Sequence, residues 1–371
     1  MANNAVGTQS FATKKHEAKD VKKQLTWAFI GCGGISSIHI PALAKIPEVK
    51  IVAGCDIKED RRKWFTETTG VTAVYEDWKK MLKEVKPDVV DVCTPNGLHC
   101  PATIDALKAG CHVITEKPMA MNPEECERMI AAAQKAKKLL CCGFQYRYSP
   151  SVEFFKKLQA AGDIGDILYV KVHALRRRGV PNWGVFGQKE LQGGGPMIDI
   201  GVHIIEAAHY CMGEPKPIAA SGNCWTFLGD KPSKVYSCWP NWDYKTYTVE
   251  DLAVGQVTFE NGALMQIEAS FCAHIKKDVF NFEIIGTKGG YDFETSTLYT
   301  DHGGAMLDCT PNFLPEFNFH TAFEEKLKNF VSAILKGTPM LTPGEEGCAV
   351  QKMIDGIYRS AANHGLEVKI D

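Results

Sequence analysis

The chain has 371 residues, 45% of them hydrophobic and 23% charged, which is more length than one core organises and enough apolar material for two. Forty-two basic against 44 acidic residues leave a net charge of −2, excluding a chain built to hold nucleic acid or an anionic membrane surface. No apolar run is long enough to span a bilayer, and the 14 cysteines form neither a CxxC pair nor a Cys/His zinc spacing; no metal is expected, and the thiols read as small apolar residues of a reduced cytoplasm.

Residues 1–24 are rich in Lys, Asn, Ala and Thr with no apolar core, unlike a signal peptide, and are expected to form a flexible N-terminal arm. From Leu25 a strand over 25–30 runs into Gly31-Cys32-Gly33-Gly34-Ile35-Ser36, with a helix over 37–45 behind it. This is the setting of a dinucleotide loop: Gly31 for the tight turn, Gly33 for close backbone approach to a pyrophosphate, Ser36 as the third small residue, and a helix N-terminus facing the anion. A second strand over 49–55 ends in Asp56, twenty residues after Ser36, where a carboxylate accepts both ribose hydroxyls and repels a ribose phosphate. NAD is therefore expected over NADP. Lys58, Arg61 and Arg62 are read as the solvated face of the next helix.

Strand and helix then alternate: helix 58–68, strand 73–75, helix 77–85, strand 89–93, helix 101–109, strand 112–115, helix 123–137 and strand 139–144. Apolar strands alternating with amphipathic helices predict a doubly wound parallel sheet over 25–148, an α/β Rossmann domain whose ligands gather at the carboxyl ends of the strands. Three polar loops leave those ends, Thr94-Pro95-Asn96, Glu116-Lys117-Pro118 and Gln145-Tyr146-Arg147-Tyr148, and should converge on one crevice.

Beyond Pro150 the pattern changes. A helix over 151–161 and a strand over 167–175 precede alternating stretches at 249–259, 263–273 and 279–285, with Asn261-Gly262 and Gly289-Gly290 as hairpin turns, then helices over 322–335 and 344–363. Residues 149–371 are thus expected to form an α+β domain with a mainly antiparallel, open-faced sheet. Within it, Gly193-Gly194-Gly195 leads into a helix that places Asp199 and His203 four residues apart, on one face. The acid would fix the ring's orientation while the ring exchanges a proton with a bound hydroxyl. Lys117 can stabilise developing alkoxide charge. Tyr146 and Arg147 are candidates to contact the nicotinamide or a sugar hydroxyl, and Arg178 and Trp183, from the run 176–183, to hold a pyranose.

Together these segments, Gly31-x-Gly33-x-x-Ser36-x-x-His39, Thr94-Pro95-Asn96-x-x-His99, Ala109-Gly110-x-His112-Val113 with Glu116-Lys117-Pro118, and Asp199-x-Gly201-x-His203, resemble the glucose-fructose oxidoreductase, inositol dehydrogenase and MocA family. The resemblance covers nearly everything after Leu25. It implies a tightly held NAD cradled by Gly31, Gly33, Gly34, Ile35, Asp56, Thr94, Asn96, His99, Glu116, Lys117 and Arg147, catalysis by Lys117, Asp199 and His203, and subunits joined through the C-terminal sheet. Two positions depart from the family pattern, Ser36 for the third glycine and Glu206 where Asp is common.

Three activities follow as expectations. The first is hydride removal from a secondary hydroxyl of a sugar, glycoside or inositol, with carbon 3 of a glucoside suggested by the likeness of the stretch 176–186 to that of glycoside-oxidising relatives. The second is a glycosidase acting by transient oxidation and elimination. The third, a non-catalytic NAD sensor, would be expected to lack part of the Lys/Asp/His set, which is complete here.

Overall fold

The computed structural model describes residues 24–371, so the expected arm lies almost wholly outside the described residues. The first half builds β1 (Leu25–Ile30), α1 (Ser36–Leu43), β2 (Val49–Cys55), α2 (Glu59–Thr69), β3 (Val74–Tyr75), α3 (Trp78–Val85), β4 (Val89–Val92), α4 (His99–Lys108), β5 (His112–Thr115), α5 (Pro123–Ala136) and β6 (Leu140–Cys142). The strands form a parallel sheet in the order β3-β2-β1-β4-β5-β6. Order reverses between β1 and β4, and the loops leaving both strands open at that crevice. Trp27, Ala28 and Phe29 of β1 are fully buried, as a strand covered on both faces requires.

The second half continues with α6 (Pro150–Ala161), β7 (Ile167–Leu175), α7 (Lys189–Gln192), a wide turn (Met197–Gly201), α8 (Val202–Cys211), β8 (Pro217–Trp225), β9 (Leu252–Phe259), β10 (Leu264–Ser270), β11 (Val279–Gly286), β12 (Gly289–Asp292), β13 (Thr297–His302), β14 (Ala305–Cys309), α9 (Phe319–Lys336), α10 (Gly344–Ala362) and β15 (Val368–Lys369). Nine strands pair in the order β14-β13-β12-β11-β7-β10-β9-β8-β15, antiparallel except for β7 beside β10. One face buries Val170, Val172, Ala174 and Ile267 beneath helices. Here α10 lies close: a Cβ at Gly255 would come within 2.7 Å of the Ile357 side chain. The other face keeps Ile285 and Tyr299 exposed.

Two expectations need correction. Gly262 does occupy the β9–β10 turn at φ +84°, but Gly289 and Gly290 are the first residues of β12, and the chain turns before them. The helix expected to start ahead of Asp199 begins instead with the wide, five-residue π-type turn, and regular α-helix starts at Val202. Helix α9 also packs away from its sequence neighbours. Its Leu327, Phe330 and Val331 join the core under β1, with the Phe330 ring edge-on to Trp27 at 6.1 Å.

Candidate active site

The glycine loop fits a dinucleotide. Gly31 sits at φ +96°, and a Cβ there would lie 2.5 Å from the Cys93 carbonyl oxygen, so no other residue is accommodated. At Gly33 and Gly34 a Cβ would meet nothing within 4 Å, leaving the backbone open to a ligand ahead of α1. Ser36 is fully buried and donates its hydroxyl to the Gly33 carbonyl at 2.7 Å, so the departure from glycine closes the loop rather than obstructing it. Ile35 is the residue preceding α1. Asp56 lies beside the loop, its Oδ2 accepting from the Cys32 amide at 2.9 Å and its Oδ1 from the Lys58 amide at 2.9 Å. Arg62 donates Nη1 to the carbonyls of Asp56 and Ile57, which ties its guanidinium to the backbone beside the acid.

The Thr94 and Lys117 loops are joined by His99. Its buried ring has Nδ1 2.8 Å from the Pro118 carbonyl and Nε2 2.9 Å from that of Thr94; burial keeps it below the ordinary histidine range, and no ring nitrogen faces a ligand. Asn96 is buried and donates to the Gln192 carbonyl at 3.0 Å. Glu116 turns inward. Its Oε1 accepts from Lys326 Nζ at 2.8 Å and lies 3.1 Å from His39 Nε2, and its Oε2 accepts from the Lys117 amide at 3.2 Å. Burial alone would raise its proton affinity, but Lys326 and His39 outweigh it and hold the carboxylate ionised. His39 in turn lies 2.8 Å from Asp91 Oδ2. Burial would lower its proton affinity, yet Asp91 and Glu116 hold it above the usual value. This buried network is absent from the expectations because Lys326 lies 210 residues from Glu116, on a helix whose sequence shows only an amphipathic pattern.

In front of the network opens a cavity of about 390 Å³, lined by Lys117, Gln145, Tyr146, Arg176, Trp183, Asp199, His203, Phe280 and Phe319 among others. Lys117 and Asp199 meet: Nζ donates to the Asp199 carbonyl at 2.8 Å and to its Oδ1 at 3.1 Å. The expected orientation of His203 by Asp199 is therefore replaced by an Asp199–Lys117 pair, because the wide turn before α8 removes regular helical spacing from the segment that joins the two residues. His203 Nδ1 is buried without a hydrogen-bond partner among the described residues. Burial, reinforced by Lys117, drives its proton affinity well below the ordinary histidine value, so the ring is neutral. Tyr146 sets its ring edge-on to His203 at 5.5 Å, and burial pushes its phenol up to about 12.

Arg147 and Arg178 are not brought into this cavity. Arg147 is 3% exposed and its guanidinium is bound by Glu206, Glu346, Glu214 and the Leu341 carbonyl, which makes it an ion-pair hub among β6, α8 and α10. Glu206 is thereby explained as its partner. From the 176–178 run it is Arg176 that lines the cavity, while Arg178 Nε and Nη1 are buried elsewhere without partners among the described residues. Gln145, Phe280 and Phe319 are lining residues that sequence reasoning did not find; Gln145 follows a strand end in a loop already singled out, whereas the two Phe residues come from β11 and α9 with no local signal.

The chain matches the model of the oxidoreductase family's NAD-binding Rossmann fold over residues 25–144 and that of its C-terminal alpha/beta domain over 156–370. It belongs to this glucose-fructose oxidoreductase, inositol dehydrogenase and MocA family, and is an NAD-dependent oxidoreductase. It is 35% identical over 337 residues to a D-glucoside 3-dehydrogenase of Escherichia coli K12, covering 90% of this chain and 94% of that one. It is 30% identical over 323 residues to a myo-inositol 2-dehydrogenase of Thermotoga maritima, covering 86% and 90%. A levoglucosan dehydrogenase solved with NADH and levoglucosan superposes with a TM-score of 0.81 at 25% identity, covering 94% of this chain and 99% of that chain. Among the described residues no helix is long and apolar enough to cross a membrane.

Proposed function

We propose that the protein oxidises a secondary hydroxyl of a sugar or glycoside, with carbon 3 of a glucoside as the reacting position. The observation that carries this reading is the meeting, in one cavity, of a neutral buried imidazole with a lysine held by a carboxylate. NAD, when bound against the Gly31–Ser36 loop, supplies the hydride acceptor. Lys117 donates a hydrogen bond to the reacting oxygen and stabilises its developing negative charge. His203, neutral before the reaction, takes the hydroxyl proton. Asp199 keeps the Lys117 ammonium in place and offsets its charge; it acts on the lysine rather than on the imidazole. Supporting the substrate class are the relatives that are dehydrogenases of D-glucosides and levoglucosan, and a lining that combines polar groups with the aromatic rings of Tyr146, Trp183 and Phe280. The inositol and glycosidase readings use the same constellation and separate by product.

The test is to incubate the protein with NAD and methyl glucoside and locate the new carbonyl by carbon NMR. A 3-oxo-glucoside with its glycosidic bond intact and equimolar NADH is expected. A ketone at another carbon removes the position assignment, and released methanol without net NADH favours the glycosidase. We further propose that the protein is cytoplasmic and assembles through the open face of its nine-stranded sheet.

A further inference from the structure

The long connection between β8 and β9, residues 226–251, contains no regular element, yet it is firmly tied down. Asp251 accepts from the amides of Phe227, Leu228 and Gly229, and Trp242 donates to the Gly229 carbonyl at 2.8 Å. Its middle reaches the loop that forms the cavity rim. Asn182 donates to the Pro240 carbonyl at 2.7 Å, and Trp239 sets its ring at right angles to Trp183 with centroids 4.7 Å apart. Phe186 meets Trp183 edge-on at 5.9 Å. Arg176 holds Trp239 from behind, its guanidinium carbon 4.8 Å from the ring centre, with Nη1 donating to the Gly179 carbonyl at 3.1 Å. Even so, Trp183 remains 49% exposed. A large indole fastened on two edges and left half uncovered at the mouth of a cavity is apolar surface held ready for a ligand.

The groups that bind hydroxyls, Lys117, Asp199 and His203, share the cavity lining with Trp183 and Phe186, and Trp239 extends these two rings into an aromatic cluster reaching beyond the lining. We infer that this cluster is a second subsite, which takes a flat apolar aglycone, an aryl group, of a glycoside whose sugar ring occupies the cavity. The inference rests on the proposed action on glycosides. Trp239 is the residue that distinguishes it, because it belongs to the rim and not to the cavity lining. Stacking on such a cluster adds affinity for an aryl ring without touching the reacting carbon, so it discriminates between glycosides of one sugar.

The experiment measures binding with NADH by calorimetry, and turnover with NAD by NADH formation, for methyl glucoside, 4-nitrophenyl glucoside and the disaccharide cellobiose. Wild type is expected to favour the nitrophenyl glucoside over the methyl one by about tenfold, the scale of one aromatic contact. Trp239→Ala should remove most of that preference while methyl glucoside turnover stays within about twofold. Trp239→Phe, which keeps a ring, should retain most of it. Thermal unfolding and NAD binding of both variants should match wild type. Equal handling of aryl and methyl glucosides by wild type overturns the subsite and leaves the reading of the reaction standing. So does a stronger preference for the disaccharide, or a Trp239→Ala variant that loses both substrates equally. If no glucoside binds or reacts, the reading and the subsite fall together.

Discussion

His203 and Lys117 are read as a matched pair because their charges are arranged to differ. The imidazole is buried beside the ammonium, which penalises a second positive charge and leaves the ring free to accept a proton. Lys117→Met and His203→Ala are each expected to lower turnover at least about a hundredfold, the scale of a lost electrostatic or acid/base group, with NAD binding intact by titration. The pH dependence follows from the same burial. Since the folded ring binds its proton only well below the usual histidine value, kcat/KM should stay level as pH falls through 6.5 and decline only at lower pH. A profile with its acid limb at an ordinary histidine value would remove His203 as the base. Folding stability runs with the same sign: the unfolded ring gains a proton near 6.5 while the folded ring does not, so this residue costs stability as pH drops below that point.

At the scale of elements, α9 matters more than its place near the C-terminus suggests. It leaves the nine-stranded sheet, packs on α1, and drives the fully buried Lys326 to Glu116, directly behind Lys117. The charges close on one another: Asp91 and Glu116 face Lys326 and His39. Deleting one member leaves a buried charge unmatched. Lys326→Met should therefore lower unfolding free energy by about 3–5 kcal/mol in urea titration. Adding Glu116→Gln should restore part of the loss, and a single variant as stable as wild type would show that the network contributes nothing to the fold.

For the whole molecule, the open sheet face is the proposed contact between copies. Ile285 and Tyr299 stand on it 42% and 43% exposed, in strands paired into one broad surface. Apolar surface of that kind is a cost in water that burial against a second copy offsets. The double variant Ile285→Asp, Tyr299→Asp should shift the mass found by light scattering from oligomer to monomer while leaving the parallel sheet and NAD binding untouched. A monomeric wild type would end that proposal.

Much of this architecture was legible because its rules are local. Strand periodicity, the glycine turn and the acid at the end of β2 each depend on residues within a few turns of one another, and the observed β5 and β7 match the expected ranges to the residue. The pairing of charges was not legible. Arg147 reads as a site residue in a loop at a strand's end, and only the arrival of Glu206, Glu214 and Glu346 makes it a buried hub. Asp199 and His203 look like partners at helical spacing, until the wide turn gives the acid to Lys117. Trp239 carries no local signal at all. Sequence by itself determined the folds of the two halves, the dinucleotide loop and the residue types available for alcohol chemistry, since backbone preference and hydrophobic period act over short stretches. Tertiary structure alone decided which charge meets which and what stands at the cavity mouth, because those contacts join segments 58 to 210 residues apart, and nothing local records the partner.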